Sequence, residues 1–367
     1  MAVFLFHSVL RVKAQNSTNV SILWSTHVAS RIDSSPAVAA DGTIYFGSRE
    51  AKLWSLSPAG ATNWFFRADG EIEGAPSIGD DGTVYFGCRN RSLYAISPKG
   101  SLRWRFKTEG WVDTCPAVTK TGVLFGSWDG NFYALDLQGK LRWKLKTGGP
   151  IVSSAAVLED TSIFFGSYDG RLYALNTEGI QKWSYKTGGP ILSSPALTED
   201  LSVLFTSVDG FLYSLSSDGH LNWKLKTGGI TESSPVISET GVICVGVNHD
   251  LWMVSADGKK KWFQWNEGEV ETAPLCLADS SVCYVTKWGS VVNYNPTTVQ
   301  WWRYFLGTYG YASPAIGTNG AVYFQGGTKW GSICALGPVT NLAASPWPKA
   351  HGNPRNTGVI SGEQPNH

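Results

Sequence analysis

Charge is scarce in this 367-residue chain: Asp, Glu, Lys and Arg together make up 16%, well below the usual quarter. Lys plus Arg number 30 and Asp plus Glu 29, so the formal net charge is +1. Proteins that grip nucleic acid through its phosphates carry a clear basic excess, so nucleic acid is not an expected partner. No apolar run reaches the roughly 20 residues that a membrane-crossing helix needs, so no transmembrane segment is expected. A basic amphipathic stretch for a membrane surface is lacking too. There are two Met and six Cys, which excludes a Met-rich binding surface and a small disulfide scaffold. The six Cys and six His show no metal-ligand spacing, so no metal site is expected.

The first residues allow two readings. Ala2 to Leu10 form a short apolar run, and Val12-Lys13-Ala14 resembles a small-residue cleavage site, as in a secretory leader. No basic side chain precedes the run, whereas Arg11 and Lys13 follow it. A frayed N-terminus is therefore the other reading of residues 1–21. A periplasmic or extracellular location is slightly favoured over a cytoplasmic one.

What the chain does have is 41 Gly, 17 Trp, 14 Tyr and 16 Phe. Low charge with abundant Gly and aromatics describes short strands joined by tight turns. The decisive feature is a repeat. Trp24, Trp64, Trp104, Trp143, Trp183, Trp223, Trp262 and Trp302 follow one another at spacings of 40, 40, 39, 40, 40, 39 and 40. After each Trp comes a stretch like Lys146-Thr147-Gly148-Gly149, then a segment like Ser193-Ser194-Pro195-Ala196. An apolar strand, a turn such as Asp41-Gly42 or Asp81-Gly82, and a second apolar strand such as Ile163 to Gly166 follow. A Ser-x-Asp-Gly turn at Ser127, Ser167 and Ser207 leads into a third strand such as Leu172 to Leu175. Six copies place a glycine four residues before the next Trp: Gly60, Gly100, Gly139, Gly179, Gly219 and Gly258.

Each copy therefore reads as four short antiparallel strands, with Gly and Asp supplying the backbone angles of tight hairpins. Strands such as Ile163 to Phe165 do not alternate apolar with polar, so both of their faces are expected to be covered. Radially packed four-stranded blades satisfy this and protect most edges. Turns every 8–12 residues leave no room for a helical solenoid. The expected fold is all-β: an eight-bladed β-propeller over residues 22–338, with a C-terminal tail at 339–367. The last copy lacks a following Trp strand, so Ile22–Val28 is expected to pair with Ser332–Leu336 and close the ring.

The Trp, the Lys-Thr-Gly-Gly, the Ser-Ser-Pro-Ala and the Gly-Ser-x-Asp-Gly-x-Leu-Tyr-Ala-Leu segments together resemble the tryptophan-docking repeat of the pyrroloquinoline-quinone-like propellers. The resemblance implies that the eight repeat Trp rings are structural, each packed between neighbouring blades on the Gly and Ala of the repeat. The tail from Ser345-Pro346-Trp347-Pro348 to Gly358 is similar to a segment common in uncharacterised members of that family. The family includes quinone-dependent alcohol dehydrogenases, which use adjacent cysteines, calcium ligands and a catalytic Asp. This chain has no Cys-Cys pair and no Cys-x-x-Cys-His haem site. Its resemblance to the compact, non-enzymatic members implies no cofactor, and pyrroloquinoline quinone with calcium belongs only to the enzyme alternative.

Several residues are candidates for function. Three positions before the repeat Pro stand Asp33, Glu73, Asp113, Glu232 and Glu271, with Val152, Leu192 and Tyr311 in the other copies. A ring of carboxylates at one mouth of the channel would attract cations or a basic peptide. The alternative is a rim neutralised by Arg31, Arg49 and Arg89. Loops on the same face carry Trp111, Trp128, Tyr168, Trp288 and Trp330, with Tyr309 and Tyr311 nearby, and exposed aromatics commonly anchor a partner. Asp129, Asp169 and Asp209 of the Ser-x-Asp-Gly turns read as caps of their own turn amides. Cys276 and Cys283 would lie opposite across a two-residue turn at Asp279-Ser280, either bridged or as small apolar fillers. The function expected is a monomeric, non-catalytic scaffold binding a protein or peptide. A quinone-dependent enzyme and a carbohydrate or cell-wall binder are the alternatives.

Overall fold

The computed structural model describes residues 21–158, 161–229, 232–265, 268–305, 309–326, 331–337, 349, 351–353 and 358–360. Among the described residues it has eight blades of four antiparallel strands, one per repeat, and the sheet of blade 4 carries a fifth strand. In blade 1 the strands are Ala37–Val38, Ile44–Ser48, Lys52–Leu56 and Thr62–Arg67, from channel to rim. Blades 2 to 7 repeat this order from Ser77, Ala117, Ala156, Ala196, Val236 and Leu275. Every residue of the second strands Ile44–Ser48, Val84–Cys88 and Ser162–Gly166 is buried, as continuous apolar runs require. The outer strands alternate exposed and half-buried positions, because only one face meets a neighbouring blade.

Blade 8 is completed by the N-terminal strand Ser21–His27, which pairs antiparallel with Ser332–Gly337. Ile22 lies opposite Leu336 and His27 opposite Ser332. The closure expected from the missing last Trp strand is the one found.

The docking tryptophans are wedges between blades. Trp24, Trp64, Trp104, Trp143, Trp183 and Trp223 each donate an indole N–H to a carbonyl in the outer turn of the next blade, at 2.8–3.0 Å. Each ring lies flat over the glycine of that turn. A Cβ on Gly139 would meet Trp104 Cδ2 at 2.6 Å, and Gly139 has φ +83°. Only glycine suits both the close approach and the left-handed backbone. The seventh junction differs, since blade 7 has no glycine at this place. Trp262 stacks instead on Tyr294, with centroids 4.1 Å apart and planes 9° from parallel. Trp302 is half-buried against the core shared by blades 7 and 8.

A second device links the blades near the axis. The Ser just before the repeat Pro accepts a hydrogen bond from the same position of the preceding blade. Cys115 N donates to Ser154 Oγ, Ser154 N to Ser194 Oγ, and Ser194 N to Ser234 Oγ, at 2.8–3.1 Å. Ala273 N donates to Ser313 Oγ and Ser313 N to Ser35 Oγ, which carries the chain of bonds across the closure.

Of the two cysteine readings the small apolar filler is the one found, and the facing placement of Cys276 and Cys283 is corrected. All six Cys are free and buried. Leu275 pairs with Cys283 and Cys276 with Val282, so the two Cys are not opposite each other. The turn has three residues between Leu277 and Ser281, with Ser280 at φ +64°, instead of two. That shift by one places the two side chains on opposite faces. Cys276 packs with Cys244 of blade 6 in one core cluster, and Cys283 packs in another towards blade 8.

Candidate functional site

Two repeat positions build the mouth of the channel. The first is the expected carboxylate position, in the loop entering each inner strand. The second begins the loop between the second and third strands, and reads Arg49, Arg89, Trp128, Tyr168, Val208, Asn248 and Lys287 in blades 1 to 7. Backbone bonds hold the two loops together. Arg49 N donates to Arg31 O, Arg89 N to Glu71 O, Trp128 N to Trp111 O and Lys287 N to Glu269 O, at 2.7–3.0 Å. The side chains at the two positions therefore meet.

Across blades 8, 1, 2, 3 and 4 they form a continuous belt. The Arg31 guanidinium lies 4.0 Å from the Tyr311 ring centroid and donates to Asp33 at 2.6 Å. Arg49 joins Asp33 at 2.5 Å to Glu73 at 3.1 Å. Arg89 joins Glu73 at 2.5 Å to Asp113 at 3.3 Å, reaches Glu71 at 3.5 Å and sits 4.7 Å from the Trp111 ring. Trp128 then donates its indole N–H to Asp113 Oδ2 at 2.8 Å. Trp128 packs edge-on against Trp111 at 5.7 Å and tilted against Tyr168 at 5.6 Å.

The electrostatics follow from depth. The side chains of Asp33, Glu73 and Asp113 are 10–17% exposed, whereas the three Arg side chains are 27–36% exposed. The carboxylates thus lie beneath the guanidinia. Burial raises the pKa of Glu73, helped by Asp113 and Asp33 and opposed by Arg89 and Arg49. Burial also works against the charge on Arg49 and Arg89, but their carboxylate partners outweigh it and raise both. A shared, bridged network of this kind couples three blades more firmly than isolated surface pairs do.

The other carboxylates sit apart from the belt. Lys287 holds Glu269 at 2.6 Å and Glu271 at 2.8 Å. Glu232 has a raised pKa from burial and from the nearby charge of Glu271, with Lys287 opposing. Blades 4 and 5 present Val152, Tyr168, Leu192 and Val208 at the two mouth positions, so this sector is apolar. Trp111 and Trp288 are 43% and 53% exposed, and Tyr309 is exposed as well. Trp330 lies outside the described residues.

Asp129 and Asp169 cap a turn amide as expected, whereas Asp209 leaves its Oδ1 without a partner among the described residues, and all three also bond outside the turn. Asp169 accepts from Arg171 N at 2.9 Å, from the Tyr173 hydroxyl at 2.7 Å and from Gly148 N at 2.8 Å. Asp209 takes the Tyr213 hydroxyl at 2.7 Å and Gly188 N at 2.8 Å, and Asp129 takes Tyr133 and Glu109 N. Each Asp ties its turn to its own third strand and to the end of the previous blade's outer strand. The Tyr of Leu-Tyr-Ala-Leu and the Gly-Gly of the repeat are the partners that the sequence pattern did not pair.

No helix of the described residues is long and apolar enough to cross a membrane. Among the described residues, no three His, Cys, Asp or Glu side chains converge as a metal set.

Comparison with known proteins adds the family. The family described as the beta-propeller of the beta-alanine-activating enzyme matches residues 57–324. The family of the outer membrane protein assembly factor BamB matches residues 10–96. Among solved structures, BamB from Moraxella catarrhalis superposes with a TM-score of 0.72 at 18% identity, covering 86% of this chain and 97% of that one. A europium-containing methanol dehydrogenase superposes with a TM-score of 0.73 at 14% identity, covering 83% of this chain and 84% of that one. At such identities the likeness is one of fold. No curated protein matches the sequence. The chain belongs to the family of the beta-propeller of the beta-alanine-activating enzyme, among the pyrroloquinoline-quinone-like eight-bladed propellers.

Proposed function

We propose that the chain is a non-catalytic scaffold that binds a protein or peptide partner through the mouth formed by the belt and its aromatic loops. The observation that carries this reading is the division of that mouth. An arc of guanidinia over half-buried carboxylates spans blades 1 to 3, and an apolar sector with Tyr168 adjoins it at blades 4 and 5. Exposed indoles stand at Trp111, within that arc beside Arg89, and at Trp288 on blade 7. Rigid aromatics beside Arg are the side chains that most often dominate protein interfaces. The partial match to an outer membrane assembly factor supports a partner protein and a periplasmic or extracellular setting.

The enzyme alternative fits these residues poorly. A calcium–quinone seat needs carboxylates free to ligate, and Asp33, Glu73 and Asp113 are engaged by Arg31, Arg49 and Arg89. Two experiments test the reading. Peptides selected from a random library on the wild-type chain are expected to lose at least tenfold in affinity on Trp111→Ala and on Arg89→Ala. Selected peptides insensitive to both changes would refute it. Pyrroloquinoline quinone with calcium is expected to give no saturable spectral change and no dye reduction, and turnover would establish the enzyme instead.

A further inference from the structure

The last strand of the described chain is one that the repeat does not account for. Val359–Ile360 runs parallel beside Ala156–Leu158, the inner strand of blade 4, and makes that sheet five-stranded. Val157 pairs with Val359 and Leu158 with Ile360. Val157 N donates to Gly358 O at 2.8 Å. The inner strands are the sheet edges that face the axis, and their outward backbone groups are a template for strand addition.

The seat is shaped for this segment. Gly358 is buried and has φ +67°. A Cβ there would meet Ala155 O at 2.7 Å and Ala117 Cβ at 3.4 Å, so blades 3 and 4 form its walls together. Upstream the segment folds back on itself: Gly358 N donates to His351 O at 3.0 Å and Gly352 N to Lys349 O at 3.1 Å. Lys349 is 2% exposed. It lies within electrostatic reach of Cys115, whose Sγ is 3.1 Å from Ser77 Oγ and whose N–H joins the serine ring. A lysine at such depth is packed into the molecule, since a loosely draped chain would leave the ammonium in water.

We propose that the channel edge of blade 4 is an acceptor for an extended peptide of Gly-apolar-apolar sequence, and that the chain's own Gly358-Val359-Ile360 occupies it as an intramolecular plug. A peptide of the same kind from outside would have to displace the tail, so this edge of blade 4 is closed to such ligands while the tail is seated.

The thiols supply the test. All six Cys are buried, and Cys115 stands two residues before Ala117, which walls the Gly358 seat. Full-length Gly358→Val is treated with N-ethylmaleimide, and labelling is mapped for each Cys by mass spectrometry. Cys115 is expected to label at least tenfold faster than in wild type, with Cys88, Cys244, Cys276, Cys283 and Cys334 unchanged. A synthetic peptide of residues 349–367 added to the variant is expected to restore Cys115 protection saturably, and the same peptide carrying Gly358→Val is expected not to. An unchanged Cys115 rate, or no protection by the wild-type peptide, overturns the proposal. If all six thiols label together the variant has unfolded, and the wild-type chain decides. Slow hydrogen exchange at the Val157 amide then upholds the seat, and exchange at the rate of open loops overturns it.

Discussion

Replacing Gly139 with Ala is the sharpest probe of the docking arrangement. The added Cβ would lie 2.6 Å from Trp104 Cδ2 and 2.9 Å from its Cε3 and Cγ, at a backbone φ of +83°. Three costs follow. Holding Ala in the left-handed region costs about 1 kcal/mol. Displacing the indole breaks the bond from Trp104 Nε1 to Leu137 O, which is 2.9 Å long, for about 1 kcal/mol. Exposing on the order of 50 Å² of ring adds about 1 kcal/mol at about 25 cal/mol per Å². The expected total is about 3 kcal/mol. Gly241→Ala is the control. Gly241 has φ +70°, but a Cβ there would meet nothing within 4 Å beyond its chain neighbours, so only the first cost of about 1 kcal/mol applies. In a Trp104→Ala background, Gly139→Ala is expected to fall to the control value, a coupling of about 2 kcal/mol. Urea unfolding at 25 °C, followed by circular dichroism and fluorescence with coincident transitions, measures all four. Agreement between Gly139→Ala and Gly241→Ala within about 0.5 kcal/mol, the margin for additive, uncoupled sites, would refute the docking energetics.

Other changes test other joints. Ser194→Ala removes the acceptor of the buried Ser154 N–H, which is bonded at 3.1 Å, and is expected to cost about 1–3 kcal/mol in urea unfolding. Tyr173 has its phenol pushed up from 10.0 to about 12 by burial and by its bond to Asp169. Its stabilisation is therefore complete below pH 10 and lost as pH rises through about 12. Tyr173→Phe is expected to flatten the alkaline limb of the stability profile, and an unaltered limb would contradict this. Glu271→Gln removes a charge that raises the pKa of Glu232. The carboxyl carbon of Glu232 is then expected to titrate lower by NMR, and an unmoved midpoint would place the cause elsewhere.

The architecture was legible because it is periodic. Trp and Gly recur at fixed distances, and each requires its partner one blade away, so the blade number and ring closure follow from spacing alone. What the sequence obscured is position-specific or distant. Arg49, Arg89, Trp128, Tyr168 and Lys287 share one repeat position, but they differ so much in chemistry that pattern matching does not align them. The sequence did offer Arg49 and Arg89 as neutralisers of the carboxylates, and the ion pairs match that reading; the backbone bonds between the loops add that Trp128, Tyr168 and Lys287 hold the same place. The facing placement of Cys276 and Cys283 failed on a single residue of turn length, which in a strand is enough to reverse the face. Trp262 looked like the other wedges, but the absent glycine made it stack on Tyr294. The tail was opaque because its strand has two residues, and the walls of its seat come from Ala117 and Ala155, far earlier in the chain.

The pairing of Ser21–His27 with Ser332–Gly337 also has a consequence for synthesis. The outer strand of blade 8 is made before the other three strands of its blade and must wait for the last copy to be translated before it finds its partner. Until then blade 8 has no outer strand and the nascent toroid stays an open arc. Contacts between such remote segments are slow to form, and unpaired edges favour misassembly with neighbouring chains. A permuted gene that links Ser332–Gly337 directly to Ser21–His27 and opens the chain in a loop between blades, after an outer strand such as Leu102–Lys107, should shorten that wait, because every blade would then be assembled from contiguous sequence.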